Sequence, residues 1–173
     1  MSKRLEHDWF PQNIPENVFI GKRSWLYSSF AFIHYKSLKE KGLIIGNNTG
    51  LYNGTFFEIS EKGSVEIGDY CSLVGVIIST NNSVKIGDYT FMAHEVVIAD
   101  NFIAMPFETK KNEFDSDIII GENVWIGAKA ILLGGSKIGK SSIIGAAAVV
   151  DFEVPPYSLV AGNPAKIKGR IKF

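Results

Sequence analysis

The chain has 173 residues, of which 46% are hydrophobic, and its formal net charge is zero. We therefore expect a single domain with a continuous core, and neither nucleic acid nor an anionic membrane as a partner. The first residues contain no apolar signal-peptide core and no stretch is long enough to span a bilayer, so we expect a cytoplasmic protein without membrane insertion. The single cysteine, Cys71, excludes an internal disulfide and a cysteine-rich metal site, and its small inward position indicates a core residue.

Residues 1–17 show no strong period and precede a long repetitive region. We expect them to cap the open end of that region, with Trp9 and Phe10 as packing groups. An uncapped repeat array would expose its core and its strand edges.

From residue 18 to residue 153 an aliphatic side chain recurs at about every sixth position. The clearest series is Ile120, Ile126, Leu132, Ile138, Ile144 and Val150. A small or aliphatic residue lies two positions before each of these, and residues two apart in an extended chain share a face. A helix would need apolar spacings of three and four, and a flat strand would alternate without a reset. The pattern therefore predicts an all-β solenoid, a parallel β-helix whose coils bury a core by stacking.

Pairs of an aliphatic residue and a glycine mark successive coils. They are Ile20-Gly21, Ile45-Gly46, Ile67-Gly68, Ile86-Gly87, Ile120-Gly121 and Ile138-Gly139, separated by 25, 22, 19, 34 and 18 residues. A triangular coil of three hexads takes 18 residues, which leaves excesses of 7, 4, 1, 16 and 0 and predicts about six coils. We assign the excesses to polar insertions at 36–42, 60–63 and 81–82 and to a protruding loop at 99–117. The paired glycines are predicted to allow backbone angles at the bends that a side chain would resist.

The loop at 99–117 is long for a compact domain, and such loops are usually functional or disordered. Its large apolar residues argue against disorder. They are Phe102, Ile103, Met105, Phe107 and Phe114. We expect the loop to dock on a neighbouring subunit and to wall a cleft between subunits. After residue 153 two prolines are predicted to end the hexads, and residues 154–173 form a short basic tail.

The hexads, the single loop, the segment VWIGAKAILLGG (124–135) and the closing PPYSLVAGNPAKIKG (155–169) together resemble the hexapeptide-repeat acyltransferases. The likeness covers residues 18–170 and is closest to the branch of sugar O-acetyltransferases and xenobiotic acetyltransferases. For the fold, it implies a left-handed coil and a homotrimer with active sites between subunits. For the activity, it implies transfer of an acetyl group from acetyl-coenzyme A to a hydroxyl or amino group of a small molecule, plausibly a sugar or nucleotide sugar.

This chemistry needs a general base, for which histidine is suited, and donors for the tetrahedral oxyanion. His7 lies in the polar lead segment, and His34 is expected to be a packed or edge residue of the first coil. His94 falls two places after inward Met92, at a corner, and should point outward. Aliphatic-x-His-acid resembles the catalytic motif of hexapeptide acyltransferases that act on nucleotide-linked sugars, which makes His94 the candidate base and Glu95 a candidate orienting carboxylate. A solvated corner histidine beside a salt-bridged carboxylate is the alternative.

The protruding loop departs from the family pattern. In the sugar O-acetyltransferase branch the catalytic histidine lies in this loop before a proline, whereas residues 101–106 (NFIAMP) contain none. Two functions therefore stay open: an acetyltransferase in which His94 takes that role, and a non-catalytic β-helix that serves as a binding or assembly module.

Eight residues fall on segments that line the coenzyme A groove in similar proteins. They are Trp125, Gly127, Ala128, Gly145, Ala146, Asn163, Pro164 and Lys166. Small corner residues would leave room for the pantetheine arm, and Lys166, Lys168 and Arg170 could meet its phosphates. Taken singly, each glycine or alanine is better explained by packing at a bend, and a basic tail is better explained as a solvated one. No metal site is predicted. A carbonic anhydrase built on this kind of coil would need three histidines around its zinc ion, and the coils past residue 40 contain one.

Overall fold

Three sheets run along the chain in the computed structural model, which describes residues 4–100 and 117–172. Face A contains β1 (Val18–Ile20), β3 (Leu43–Ile45), β6 (Ser64–Ile67), β9 (Ser83–Ile86), β12 (Ile118–Ile120), β15 (Lys137–Ile138) and β18 (Glu153–Val154). Face B contains β2 (Trp25–Leu26), β4 (Gly50–Leu51), β7 (Ser72–Leu73), β10 (Phe91–Met92), β13 (Trp125–Ile126), β16 (Ile143–Ile144), β19 (Ser158–Ala161) and β20 (Lys166–Arg170). Face C contains β5 (Phe56–Ile59), β8 (Ile77–Thr80), β11 (Val97–Ala99), β14 (Ile131–Leu133) and β17 (Val149–Val150).

The chain visits faces A, B and C in turn, so three strands make one coil. The predicted fold class, a left-handed parallel β-helix of about six coils, is confirmed. In the first coil a 3-10 helix (Ser29–Phe32) replaces the strand of face C. Its start is fixed by polar side chains, because Ser28 Oγ accepts a hydrogen bond from Phe30 N at 3.1 Å and Asp8 accepts one from Ser29 N at 2.7 Å.

The two predicted inward series fill the core. All six aliphatic residues of the series from Ile120 to Val150 are at most 2% exposed, and so are the residues two positions before them. Two of the latter are serines, and their hydroxyls are satisfied by carbonyls at the corners: Ser136 donates to Leu133 O at 2.6 Å and Ser142 to Pro155 O at 3.1 Å. Cys71 is buried as expected, and burial raises the pKa of its thiol to about 11.

The paired glycines are needed for a reason other than the predicted one. Positive φ, between 53° and 60°, falls on the third residue after the inward aliphatic residue of face A. These residues are Arg23, Asn48, Tyr70, Tyr89, Asn123, Ser141 and Tyr157. At the glycine itself the next coil lies too close for a side chain: a Cβ on Gly46 would lie 2.4 Å from the carbonyl carbon of Gly68. The prediction that these glycines supply the bend angles was wrong, because other residues carry the positive φ values. The glycines are needed because the stacked coils leave no room for a side chain.

We call the corner between faces A and B the first corner, that between B and C the second, and that between C and A the third. The insertions all lie at the third corner. Residues 60–63 connect β5 to β6, and residues 81–82 connect β8 to β9, as predicted. The loop leaves β11 and returns at β12, but its residues 101–116, and hence the predicted docking of its apolar side chains, lie outside the described part.

The coil continues beyond its predicted end. Val154 is buried, and β18 and β19 extend faces A and B by a partial coil before β20 folds back antiparallel to β19. Pro155 and Pro156 lie at the first corner, between β18 and β19, where they do not interrupt a strand. Within residues 4–100 and 117–172 there is no helix with the length and apolar character needed to cross a membrane.

The lead segment packs on the first coil. Ile14 joins the core at 5% exposure, and the ring of Trp9 lies 5.5 Å from that of Phe30. His7 is exposed, but its ring stacks on Trp25 at 4.2 Å and its Nε2 lies 2.9 Å from Leu26 O.

Candidate active site along the second corner

His94 lies at the second corner of the fourth coil. The preceding inward residue, Met92, is fully buried, whereas His94 is exposed. Its carbonyl oxygen accepts a hydrogen bond from Lys129 N of the next coil at 2.9 Å, so the backbone is held while the imidazole faces outward. This is the orientation that the sequence predicted and that a general base requires.

Glu95 follows in the left-handed region with φ of 60°. Its carboxylate lies 3.6 Å from Lys129 Nζ, and both side chains are about 70% exposed. An ion pair this exposed contributes little to stability. The carboxylate that was predicted to orient His94 thus lies beside Lys129. The orienting role of Glu95 stays a prediction.

Six of the eight predicted cofactor residues lie on the same edge as His94. Strand register places Met92, Ile126, Ile144 and Val160 above one another on face B. The residues one place later are therefore Ala93, Gly127, Gly145 and Ala161, and those two places later include His94, Ala128 and Ala146. Ala147 N donates to Ala128 O at 2.9 Å, as Lys129 N does to His94 O, which ties successive corners together.

The edge ends at the partial coil. Asn163 and Pro164 occupy its second corner and are exposed, and Lys166 begins β20 opposite Ala161. Trp125 lies beside the edge on the outer side of face B, 55% exposed, with its ring 6.2 Å from that of Phe91. Three coil steps separate His94 from Asn163, about 14 Å at the usual strand spacing.

Packing alone accounts for the glycines of this edge. A Cβ on Gly127 would lie 2.5 Å from Ala146 N, and one on Gly145 would lie 3.1 Å from the Cβ of Ala161. Ala128 and Ala146 are the better indicators of a groove, because they are solvent-accessible corner positions where a longer side chain would fit.

A notch beside His94, formed by a corner one residue shorter than the next, was not predicted from the sequence. Strand register pairs Leu73 with Met92 and Ile77 with Val97, so the third coil has three residues at this corner where the fourth has four. Gly75 lies in the shortened corner with a φ of 62°, close to the 60° of Glu95 in the longer corner of the next coil. The excess of one residue in this coil is thus the sum of one deletion here and two insertions at 81–82. In the sequence, the deletion is visible as a spacing of five, instead of six, between the inward residues Leu73 and Ile78.

Among the described residues there is no group of three histidine, cysteine, aspartate or glutamate side chains that could hold a metal ion. The features of this edge that suit coenzyme A are its small corner residues and the basic residues at its end.

Comparison with known proteins identifies the family. A family model described as bacterial transferase hexapeptide (six repeats) matches residues 117–151. The chain is 31% identical over 148 residues to a chloramphenicol acetyltransferase of Agrobacterium fabrum, an alignment that covers 76% of this chain and 68% of that protein. Other relatives align over only about a quarter of their own length. The chain belongs to the hexapeptide-repeat acyltransferase family.

Solved structures share the fold. A hexapeptide-repeat acetyltransferase of Vibrio cholerae complexed with acetyl-coenzyme A has a TM-score of 0.64 at 24% identity, covering 82% of each chain. A mutant of AntD, an N-acyltransferase of Bacillus cereus, in complex with dTDP-4-amino-4,6-dideoxyglucose and coenzyme A, has a TM-score of 0.68 at 20% identity, covering 89% of this chain and 83% of that one. At these identities the likeness supports the fold alone.

Proposed function

We propose that the protein transfers an acetyl group from acetyl-coenzyme A to a hydroxyl or amino group of a small molecule, with His94 as the general base. The observation that best supports this proposal is that His94, Ala128 and Ala146 occupy equivalent positions at the second corner of successive coils. The acetyltransferase relative from Agrobacterium fabrum and the acetyl-coenzyme A bound to the Vibrio cholerae protein support the donor.

The donor lies along the second corner. Its pantetheine arm runs over Ala128 and Ala146, past Gly127, Gly145 and Trp125, and its thioester stops at His94. Its phosphates meet the exposed basic residues of β20, with Asn163 and Pro164 at the turn before them. These basic residues are Lys166, Lys168 and Arg170.

The reaction is acyl transfer through a tetrahedral intermediate. The acceptor oxygen or nitrogen attacks the thioester carbonyl as His94 takes its proton. A backbone N–H stabilises the oxyanion, the C–S bond breaks, and the imidazolium returns the proton to the departing thiolate, which leaves as coenzyme A.

The active unit is a homotrimer in the cytoplasm with active sites between subunits. Large apolar side chains remain exposed on faces A and B of the isolated chain, which supports self-association. Phe19 and Ile119 on face A, and Phe91 and Leu159 on face B, are each about 40% exposed.

The second candidate is a non-catalytic binding or assembly module. It is favoured by the loop without histidine and by the engagement of Glu95 with Lys129. Two measurements separate the candidates: release of free thiol from acetyl-coenzyme A with a panel of sugars and amines, and thermal unfolding with coenzyme A. The enzyme releases thiol in an acceptor-dependent manner and is stabilised by about 2.7 kcal/mol at a coenzyme A concentration of 100 Kd. A protein that does neither is a module without this activity.

A further inference from the structure

An aromatic recess lies where the lead segment meets the second corners of the first two coils. Five ring-bearing side chains contribute to its walls. They are Trp9 from the lead segment, Tyr27 and Phe30 from the first coil, and Tyr52 and Phe56 from the second. The space open to the centre of a water molecule is about 30 Å³. This is about two to three times what one water needs, so the recess admits a group of a few heavy atoms.

Packing holds these rings in place around the recess. The ring centroid of Phe30 lies 5.5 Å from that of Trp9 and 5.5 Å from that of Phe56. The phenol end of Tyr52 lies over the bare backbone of Gly50, where a Cβ would lie 2.7 Å from Cε2 of the ring. Within the described residues, Tyr27 and Tyr52 contact no other ring, and they are 41% and 44% exposed. Two rings of the recess are therefore available to a ligand.

The recess is poorly suited to an anion. No charged side chain lines it within residues 4–100 and 117–172. Its two aliphatic hydroxyls already donate elsewhere: Ser28 Oγ donates to Asp8 at 2.7 Å and Thr55 Oγ1 to Leu73 O at 3.4 Å. Neither acceptor lines the recess. A phosphate or carboxylate is bound best by cationic donors, and this lining offers none.

A negative charge lies directly behind the lining. The carboxylate of Asp8 accepts the hydroxyl of Ser28 and the backbone N–H groups of Ser29 and Phe10. Burial by itself raises the pKa of Asp8, but these hydrogen bonds outweigh it and lower the value to about 2, so the group is ionised at neutral pH. Among the described residues no basic side chain forms an ion pair with it. The carboxylate therefore favours a cation in the recess.

Rings beside an ionised carboxylate are suited to a methylated ammonium group. The faces of tryptophan, tyrosine and phenylalanine rings attract cations, and cages of such rings recognise quaternary ammonium ligands. A quaternary nitrogen carries no N–H group, so it needs no hydrogen-bond acceptor from the lining. A primary ammonium would bring three donors into a recess whose walls are mainly aromatic. The chemistry of the lining thus favours the methylated form.

We infer that the recess binds a small organic cation with a methylated ammonium head, of which choline is the simplest probe. The head lies among Trp9, Tyr27 and Tyr52, and the rest of the ligand extends into solvent. The inference goes beyond the proposed acetyl transfer and does not depend on it, because the transfer is assigned to the corners from His94 onwards.

The test compares choline with neohexanol, which has the same shape but carries carbon in place of the charged nitrogen. NMR titration of the ligand methyl resonances measures the dissociation constant of each with the unmodified protein. Choline should bind about three- to thirtyfold more tightly, as expected where rings bind a cation. Phosphocholine separates a free cation from a lipid head group. It should bind no more tightly than choline, since its phosphate meets no cation at the recess.

Four variants locate the bound cation. Trp9→Leu and Tyr52→Leu keep an apolar side chain but remove a ring, so each should weaken choline binding about threefold or more and affect neohexanol less. Asp8→Asn should weaken only choline binding. The control is Tyr89→Leu, because Tyr89 is 60% exposed at the first corner and stacks on Tyr70 at 5.0 Å, which makes this pair the competing aromatic surface. It should leave choline binding unchanged, and thermal unfolding establishes that each variant is folded.

Equal affinities for choline and neohexanol would overturn the inference, because the recess would then be a site for uncharged apolar groups. Tighter binding of phosphocholine would replace the free cation by a lipid head group. Choline binding that survives in both folded Trp9→Leu and Tyr52→Leu, or that Tyr89→Leu abolishes, would place the cation outside the recess. Absence of saturable choline binding would remove the site, whether or not the protein transfers acetyl groups.

Discussion

Ala128 occupies in the fifth coil the place that His94 occupies in the fourth. Met92 and Ile126 are register partners, and each is followed two positions later by one of these residues. The change from imidazole to methyl over one coil reduces the side-chain bulk on this corner. This relationship ties the candidate base to the candidate donor site, and it depends only on strand register.

Filling the groove should block the donor. Ala146→Trp places a large side chain on the exposed edge, so we expect at least a tenfold rise in KM for acetyl-coenzyme A, about 1.4 kcal/mol or more of lost binding. The matched control is Lys140→Trp, because Lys140 is also exposed and follows an inward residue of the same coil by two places, but at the first corner. Equal KM values in the two variants would place the donor elsewhere.

Gly127 should be required for folding irrespective of any ligand. A methyl group there would lie 2.5 Å from Ala146 N, so Gly127→Ala is expected to lower the free energy of unfolding by about 1–3 kcal/mol. A methyl group on Gly169 would have no atom within 4 Å, so Gly169→Ala should leave the free energy of unfolding nearly unchanged. Denaturant unfolding of both variants measures the difference. Equal stability would mean that the coils are spaced more widely than described.

Asp8 should stabilise the lead segment in a pH-dependent manner. Its pKa is lowered from 3.8 to about 2 in the folded chain, so its contribution is fully present above pH 3.8 and is lost as the pH falls towards 2. Asp8→Asn should cost about 1 kcal/mol at pH 7, after discounting for its partial exposure, and less at pH 3. Thermal unfolding at both pH values, with the exposed Asp151→Asn as control, checks this. A cost that does not shrink on acidification would contradict it.

Cys71 should resist alkylation in the folded protein. The thiol is 2% exposed and burial raises its pKa to about 11, so little reactive thiolate is present at pH 8. Mass spectrometry after iodoacetamide treatment should find the cysteine unmodified without denaturant and fully modified in guanidinium. Rapid labelling of the native protein would show that the first corner opens readily.

The repeat was accessible from sequence because each coil buries the same places. Positions such as Ile120 and Ile138 must be apolar whatever their neighbours are, so a six-residue period survives in one chain. The insertions at the third corner could also be located, since polar residues interrupt that period.

The notch at Gly75 was hidden because counting from one Ile-Gly pair to the next gives only the net length of a coil. The partner of Glu95 was hidden as well. Lys129 lies 34 residues further along, across the loop, and only the strand register brings the two together. The actual requirement for glycine after the aliphatic residue depends on the distance between coils, which composition does not specify.

The most direct test of the central claim is the rate of acetyl transfer in His94→Ala, compared with His34→Ala, whose histidine is also exposed but lies in the first coil. The account predicts that His94→Ala lowers turnover about 10²- to 10⁴-fold while coenzyme A binding is retained, and that His34→Ala does not. Turnover in folded His94→Ala within twofold of the unmodified protein would remove the imidazole from the chemistry.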